Sequence, residues 1–430
     1  MKPQIHTLKN GLTVMFIDTK SFPTLTTIIM VGAGSRYENK INNGVAHFFE
    51  HMAFKGSKKY PDAFTIASTI EGLGGVFNAF TSKDHTGYWI KATADHFETV
   101  IDVLADMIRH SKLAPEEIEK EKGVIVEEIN MYEDMPQAKV GDLFEKLVYD
   151  GNSLGYEIAG HADTVTQFTR QTFVDYMDDL YHPDNAVIVV AGGLNTVGAR
   201  RASPVHNYLE IIENKLGNWK KGEAGSFEPL ILKQTQPKIY VRNKKTEQAH
   251  FCLGFPTFSF FDKKKYPLAV LGVILGGGMS SRLFMEVREK RGLAYYVSTG
   301  RQFYVDSGNI VTQAGVAKDL NKAKEAVKVV VAEHNKIAQG KISEKELEKA
   351  KEVIKGRLLL SMEDSFNVAA YFATKKILQN SVETPQEEIQ ALKKVSIDDV
   401  AQVASEIFKP EKLNLAIIGP FNQGDFDKII

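Results

Sequence analysis

One cysteine, Cys252, in 430 residues excludes an intrachain disulfide and favours a reducing compartment. Charge of one sign is equally lacking: 53 Lys and Arg stand against 54 Asp and Glu, a formal net charge of -1, which argues against a nucleic-acid surface driven by bulk electrostatics. No apolar run approaches the roughly 20 residues that a membrane span requires. The amino terminus shows neither a basic, apolar, small-residue leader nor an Arg-rich, acid-poor transit peptide. Together these absences lead to the expectation of a soluble, cytoplasmic, bacterial protein with no membrane and no nucleic-acid partner. Gly276-Gly277-Gly278 is not followed by the Lys and Ser/Thr pair of a phosphate-cradling loop, so nucleotide binding is set aside as well. What remains is an ordinary globular composition, 43% hydrophobic and 25% charged, in a chain too long for one core, so two domains are expected.

The most informative stretch is His47-Phe48-Phe49-Glu50-His51. In a helix, His47 and His51 stack one turn apart on one face, with Glu50 beside His47 on nearly the same face. Zinc prefers imidazole nitrogen and carboxylate oxygen, and a catalytic zinc takes three protein ligands and leaves a position for water. The glutamate precedes the second histidine, giving H-x-x-E-H, the inverse of the commoner H-E-x-x-H order. A third ligand is needed. The segment 116–134 lacks proline, and one face of it runs Ile118, Glu121, Ile125, Glu128, Tyr132. Two carboxylates on an apolar stripe are costly to bury unless they bind something. A metal with its ligand histidine supplies the partner: Glu128 binds directly, and Glu121 accepts an imidazole proton or steadies the active-site water. Glu127 falls about 100° away around the helix.

The element pattern repeats once, at about two hundred residues. Strands at 11–18, 24–32 and 87–92 alternate with helices at 45–54, 63–71, 94–110 and 116–134, and a buried strand follows at 186–192. The second half replays this with strands at 238–242 and 249–255, helices at 266–275 and 281–290, strands at 294–301 and 308–314, long helices at 320–339 and 344–360, and a last strand at 413–418. The expected fold class is α+β: two homologous α/β-roll domains, each with helices on one face of a mostly antiparallel sheet. The expected boundaries are 1–216 for the first roll, 217–237 for a polar, Gly-containing linker and 238–430 for the second. Arg200-Arg201, just before the linker, fits no motif.

His47-Phe-Phe-Glu50-His51-Met-Ala-Phe-Lys-Gly, then Gly74-Gly75-Val-Phe-Asn78-Ala79-Phe80-Thr81, then Val126-Glu127-Glu128 resemble the pitrilysin and insulysin group of inverted zinc metallopeptidases, in particular its small bacterial members related to mitochondrial processing peptidase. The likeness covers essentially the whole chain. It implies a zinc-dependent endopeptidase with one zinc per chain held by His47, His51 and Glu128, with Glu50 as general base and Glu121 as supporting carboxylate. It further implies that Asn78, Ala79, Phe80 and Thr81 form an exposed edge onto which a substrate peptide adds as a strand, and that Arg288 and Tyr295 reach the active site from the second half to bind the substrate carbonyl. Spacing alone leaves Arg288 as a solvated helix residue and Tyr295 open to the core. Substrates are then short peptides or unfolded segments, and the partner is a second copy of the chain, since this chain holds both residue sets and forms half of the family's clamshell. The competing class is a non-catalytic scaffold or partner subunit of the same fold; it predicts eroded metal positions, which this sequence does not have.

Overall fold

The computed structural model describes residues 2–194 and 204–427, so Arg200-Arg201 lies outside the described residues. The first sheet has six strands: β1 (Gln4–Thr7), β2 (Thr13–Asp18), β3 (Thr24–Val31), β4 (Val76–Thr81), β5 (Thr86–Thr93) and β6 (Ala186–Gly192). Their spatial order is β1-β2-β6-β3-β5-β4. All neighbours are antiparallel except β2 and β6. The second sheet contains β7 (Lys238–Asn243), β8 (Gln248–Thr257), β9 (Ala294–Phe303), β10 (Gly308–Ala317) and β11 (Asn414–Gly419) in the order β7-β11-β8-β10-β9. Its one parallel pair is β7 with β11. Strand for strand this repeats the first sheet without β1, and β4 corresponds to β9 as the edge.

The helices that build the first unit's site are α1 (Val45–Ala53), α2 (Ala63–Gly72), α3 (Phe97–Arg109) and α4 (Pro115–Glu133), followed by α5 (Pro136–Val148). Helices do not stay on one face of each sheet, as the sequence pattern suggested. β3 and β6 are buried along almost their whole length, and a central strand buried on both faces needs cover on both. Leu25, Ile29 and Val31 of β3 join the main core. The alternate residues turn to the helix Ser365–Gln379: Thr26 Oγ1 lies 2.8 Å from Ser365 Oγ, and Trp89 on β5 packs on Phe366 at 4.6 Å between ring centroids. In the same way α5 covers β8 and β11, burying Val140, Leu143, Phe144 and Val148 against Cys252, Ala416 and Ile418.

The compact units are therefore not contiguous in sequence. One comprises Met1–Ile129, Glu157–Glu228 and Leu359–Pro385; the other comprises Asn130–Tyr156, Pro229–Leu358 and Gln386–Ile430. The boundaries at 216 and 238 separate the two sheets, but each unit takes one covering helix from the other half of the sequence. The stretch 217–237 has no regular structure, yet its beginning is pinned: Asn10 Nδ2 donates to the Leu216 and Trp219 carbonyls, and the Arg36 guanidinium stacks on Phe227 at 3.8 Å. Among the described residues no helix is long and apolar enough to cross a membrane.

Candidate metal centre

Helix α1 divides cleanly into two faces. Val45, Phe48, Phe49 and Met52 are buried at spacings of three and four. Phe48 packs edge-on against Phe173 and Phe49 against Tyr181, each at 5.0 Å between centroids. Each buried aromatic contributes on the order of 1.5–3 kcal/mol to the helix's seating. That anchorage leaves His47, Glu50 and His51 on the half-buried opposite face. The helix start is fixed by a carboxylate: Glu38 accepts from the backbone N–H of Gly44 and of Ala46 and from Asn43 Nδ2, all at 2.8 Å. Full burial pushes this carboxyl up to about 7 although the three donors pull it down. Gly44 adopts φ +102°, a left-handed turn where an L side chain is strained.

His47 Nε2 and His51 Nε2 each lie 3.7 Å from Glu128 Oε2. The donor atoms of all three lie within 4.8 Å of one another. Around a tetrahedral zinc with bonds of about 2.0–2.1 Å, ligand atoms sit about 3.4 Å apart. The two imidazole-to-carboxylate separations are within a few tenths of an ångström of that spacing, and a donor set of two imidazoles and one carboxylate suits a zinc ion. Burial, aided by the neighbouring His51 ring, pushes the His47 imidazole down to about 4, so it is neutral near pH 7, the form a metal requires. Among the described residues this is the one cluster of His, Cys, Asp and Glu with such convergence.

The His51 ring is oriented from behind. Its Nδ1 faces Glu121 Oε1 at 2.9 Å, which assigns the proton to Nδ1 and the lone pair to Nε2. Glu121 is nearly inaccessible, and its second oxygen pairs with Lys55 Nζ at 2.5 Å. Burial pushes the Glu121 carboxyl up, but the bonds from His51 and Lys55 outweigh it and hold it below the ordinary carboxylate range. Both Glu121 oxygens are thus committed away from the centre, while Glu128 Oε2 points into it. Glu127 is exposed. The buried stripe of α4 is Ile118, Glu121, Ile125 and Ile129; Tyr132, which the sequence pattern put on it, is solvent-exposed and lies beyond Ile129, where this segment of the first unit ends.

Glu50 lies beside the triad, and its Oε2 accepts from Thr81 Oγ1 at 2.6 Å. Burial raises its carboxyl above the ordinary range; the Thr81 bond and His51 counter this, and Glu128 adds to it. Thr81 ends β4, which is the edge of the first sheet. Ser82 N–H bonds His85 O across the hairpin, and strict alternation then turns the N–H groups of Ala79 and Thr81 outward. Asn78 Oδ1 accepts from the Ala79 N–H at 2.8 Å, so an incoming strand must displace that side chain. Arg288 and Tyr295 both belong to the second unit. The Arg288 guanidinium sits 4.8 Å from the Phe284 ring and 5.7 Å from the Tyr295 ring. Tyr295 is 72% exposed, so it is not a core residue. The expected helix at 281–290 contains a π-helical run, Phe284–Glu289, a geometry found often at functional sites.

Sequence reasoning missed two contributors. Lys55 carried a signal, being four residues after His51 and therefore on its face. Glu38 carried a weaker one, a lone carboxylate just before the Asn42-Asn43-Gly44 helix start.

The profile of insulinase, peptidase family M16, matches residues 13–162, and one described as the peptidase M16 inactive domain matches residues 167–354. The chain is 36% identical over 417 residues to an uncharacterized zinc protease, YmxG, of Bacillus subtilis (strain 168), covering 96% of this chain and 98% of that one. It is 32% identical to an uncharacterized zinc protease of Rickettsia felis, covering 97% of each. Among solved structures, a protease from Helicobacter pylori superposes with a TM-score of 0.88 at 25% identity, over 97% of this chain and 99% of that one. A peptidase M16 inactive domain from Pseudomonas fluorescens superposes with a TM-score of 0.87 at 19% identity over 98% and 99%, a likeness of fold alone.

Proposed function

The chain belongs to the insulinase family, peptidase family M16, and we propose that it is a zinc-dependent endopeptidase, with one zinc per chain, that hydrolyses short peptides or unfolded polypeptide segments. The convergence of His47 Nε2, His51 Nε2 and Glu128 Oε2 beside Glu50 carries this reading. The ligand set and base are intact, which favours catalysis over a scaffold role. Zinc, when bound, supplies Lewis-acid polarisation of a water and of the scissile carbonyl. Glu50 accepts the proton of the attacking water and returns it to the departing amine. Outward N–H groups on β4 support binding of an extended peptide as an added strand along Asn78, Ala79, Phe80 and Thr81. A folded substrate offers no such strand.

Arg288 and Tyr295 are proposed as donors to the developing oxyanion, a task that stabilises the transition state above the ground state. The stacking of one on the other and the exposure of Tyr295 support that role. The same proposal includes a homodimer, since one chain carries both residue sets, and a cytoplasmic home, which the single cysteine supports. The test is cleavage of an unstructured peptide library with and without chelator, for the parent and Glu50→Gln. Chelator-sensitive cleavage that falls at least about a hundredfold in Glu50→Gln with zinc retained is the expected result. Activity within about tenfold of the parent removes Glu50 from its role. Solution sizing tests the dimer: an active monomer refutes it.

A further inference from the structure

Glu50 is attached to the protein at two places, its own helix and the edge strand β4. The second attachment is one hydrogen bond, Thr81 Oγ1 to Glu50 Oε2 at 2.6 Å. Thr81 is itself rigidly placed. It closes the β4–β5 hairpin opposite Thr86, and the loop that follows is tied down where Ser35 N–H and Arg36 N–H donate to the Ser82 and Lys83 carbonyls. Thr86 Oγ1 in turn donates to the Ala33 carbonyl. A β-branched threonine in a strand has few χ1 choices, so its hydroxyl is presented to Glu50 from a fixed position.

We propose that Thr81 is a positioning residue for the general base: its hydroxyl clamps one oxygen of Glu50 and leaves Oε1 as the oxygen that takes the proton of the attacking water. No bond to Thr81 forms or breaks. Its proton stays on Oγ1 throughout, while the water proton goes to Glu50 and then to the leaving amine. The same strand presents the outward backbone groups on which the substrate is proposed to lie. Base and scissile carbonyl are therefore indexed by one stretch of backbone, and a peptide docked on β4 meets a carboxylate already held in register with it. This inference rests on the peptidase reading above, and it gives the threonine side chain a task separate from the main-chain pairing of its strand.

The test uses the full-length, zinc-loaded chain and compares Thr81→Val, Thr81→Ser, Glu50→Gln and the double variant Thr81→Val, Glu50→Gln. A hydrogen bond to a charged group corresponds to roughly a ten- to hundredfold effect. Thr81→Val is expected to lower kcat by that factor, with KM and zinc content unchanged. Thr81→Ser restores the hydroxyl and most of the rate. In the Glu50→Gln background Thr81→Val costs nothing further. A kcat for Thr81→Val within twofold of the parent overturns the proposal, as does a serine variant as slow as valine or a loss of zinc from the valine variant. An infrared difference spectrum of parent minus Glu50→Gln reads the Glu50 carboxylate directly, with no peptide present. That band must shift in Thr81→Val and not in Thr81→Ser. A parent that cleaves no peptide defeats the peptidase reading, whereas an unshifted band defeats the clamp.

Discussion

Three glutamates on α4 should rank by zinc affinity in an order set by geometry alone. Glu128 Oε2 is equidistant from both imidazole nitrogens at 3.7 Å, so Glu128→Gln replaces an anionic ligand with a neutral amide at the centre itself. Glu121 reaches the site only through His51 Nδ1, and losing such an outer partner typically costs 10–100-fold in metal affinity. Glu127 is exposed and touches none of the ligands. The expected losses are more than about a hundredfold for Glu128→Gln, equivalent to more than about 2.7 kcal/mol, about 10–100-fold for Glu121→Gln, and under about threefold for Glu127→Gln. Competition with a chromophoric chelator measures all three, and circular dichroism on the same samples verifies that each variant is folded. Equal losses at Glu127 and Glu128 would refute the choice of ligand. A larger loss at Glu121 than at Glu128 would instead invert the assignment of inner and outer carboxylate.

Lys55→Met strands the buried Glu121 carboxylate and should lower the stability of the metal-free chain by about 2–3 kcal/mol, less than for a fully buried pair because Lys55 keeps some contact with water; adding Glu121→Gln should recover most of it in thermal unfolding. Gly44→Ala adds a Cβ where φ is +102° and the Ala159 carbonyl would lie 2.8 Å away, so a cost of about 2–3 kcal/mol and weakened zinc binding are expected from chemical denaturation and chelator competition. In the second unit, Arg282 clamps Glu346 with Nε to Oε1 at 2.6 Å and Nη2 to Oε2 at 3.0 Å, and this clamp, with Ser343, holds the Glu346 carboxyl at about 2. Its folded value is depressed, so the stabilisation is present above the ordinary glutamate value and is lost as pH falls from about 4.5 towards 2. Glu346→Gln should flatten acid unfolding across that window by about 1–2 kcal/mol after allowance for solvent screening.

Which parts of this molecule were legible in its sequence follows from the range of the interactions involved. The convergence of His47, His51 and Glu128 was readable because the two histidines share one helical turn, and because Glu121, on the buried stripe of α4, and Glu128, one heptad on, are carboxylates costly to bury without a partner. The duplicated strands were readable for the same local reason, and β6, Ala186–Gly192, was expected with its observed bounds. That strand also held an unread clue: a run buried on both faces cannot belong to a sheet covered on only one side. The missing cover is Ser365–Gln379, more than 170 residues downstream in sequence, and no periodicity within either segment links the two.

The contacts that complete the site have the same long-range character. Thr81 reaches Glu50 across 31 residues, and Glu121 reaches His51 across 70. Each is a single polar bond whose donor and acceptor have unremarkable local spacing, so the sequence names the candidate groups but not what holds them. The division has a physical basis. A metal ligand must present one atom at one point, which a helix supplies by its own repeat. A base must also be restrained in rotation, and a side chain with several free torsions needs an anchor from a second element. Helix α1 provides the first condition for His47, Glu50 and His51 alike; only β4, brought alongside by the hairpin and the sheet, provides the second. A variant that loosens the hairpin loop 82–85 without touching α1 is therefore expected to lower kcat while leaving zinc affinity unchanged; a variant that loses both together would mean that strand and helix do not act separately.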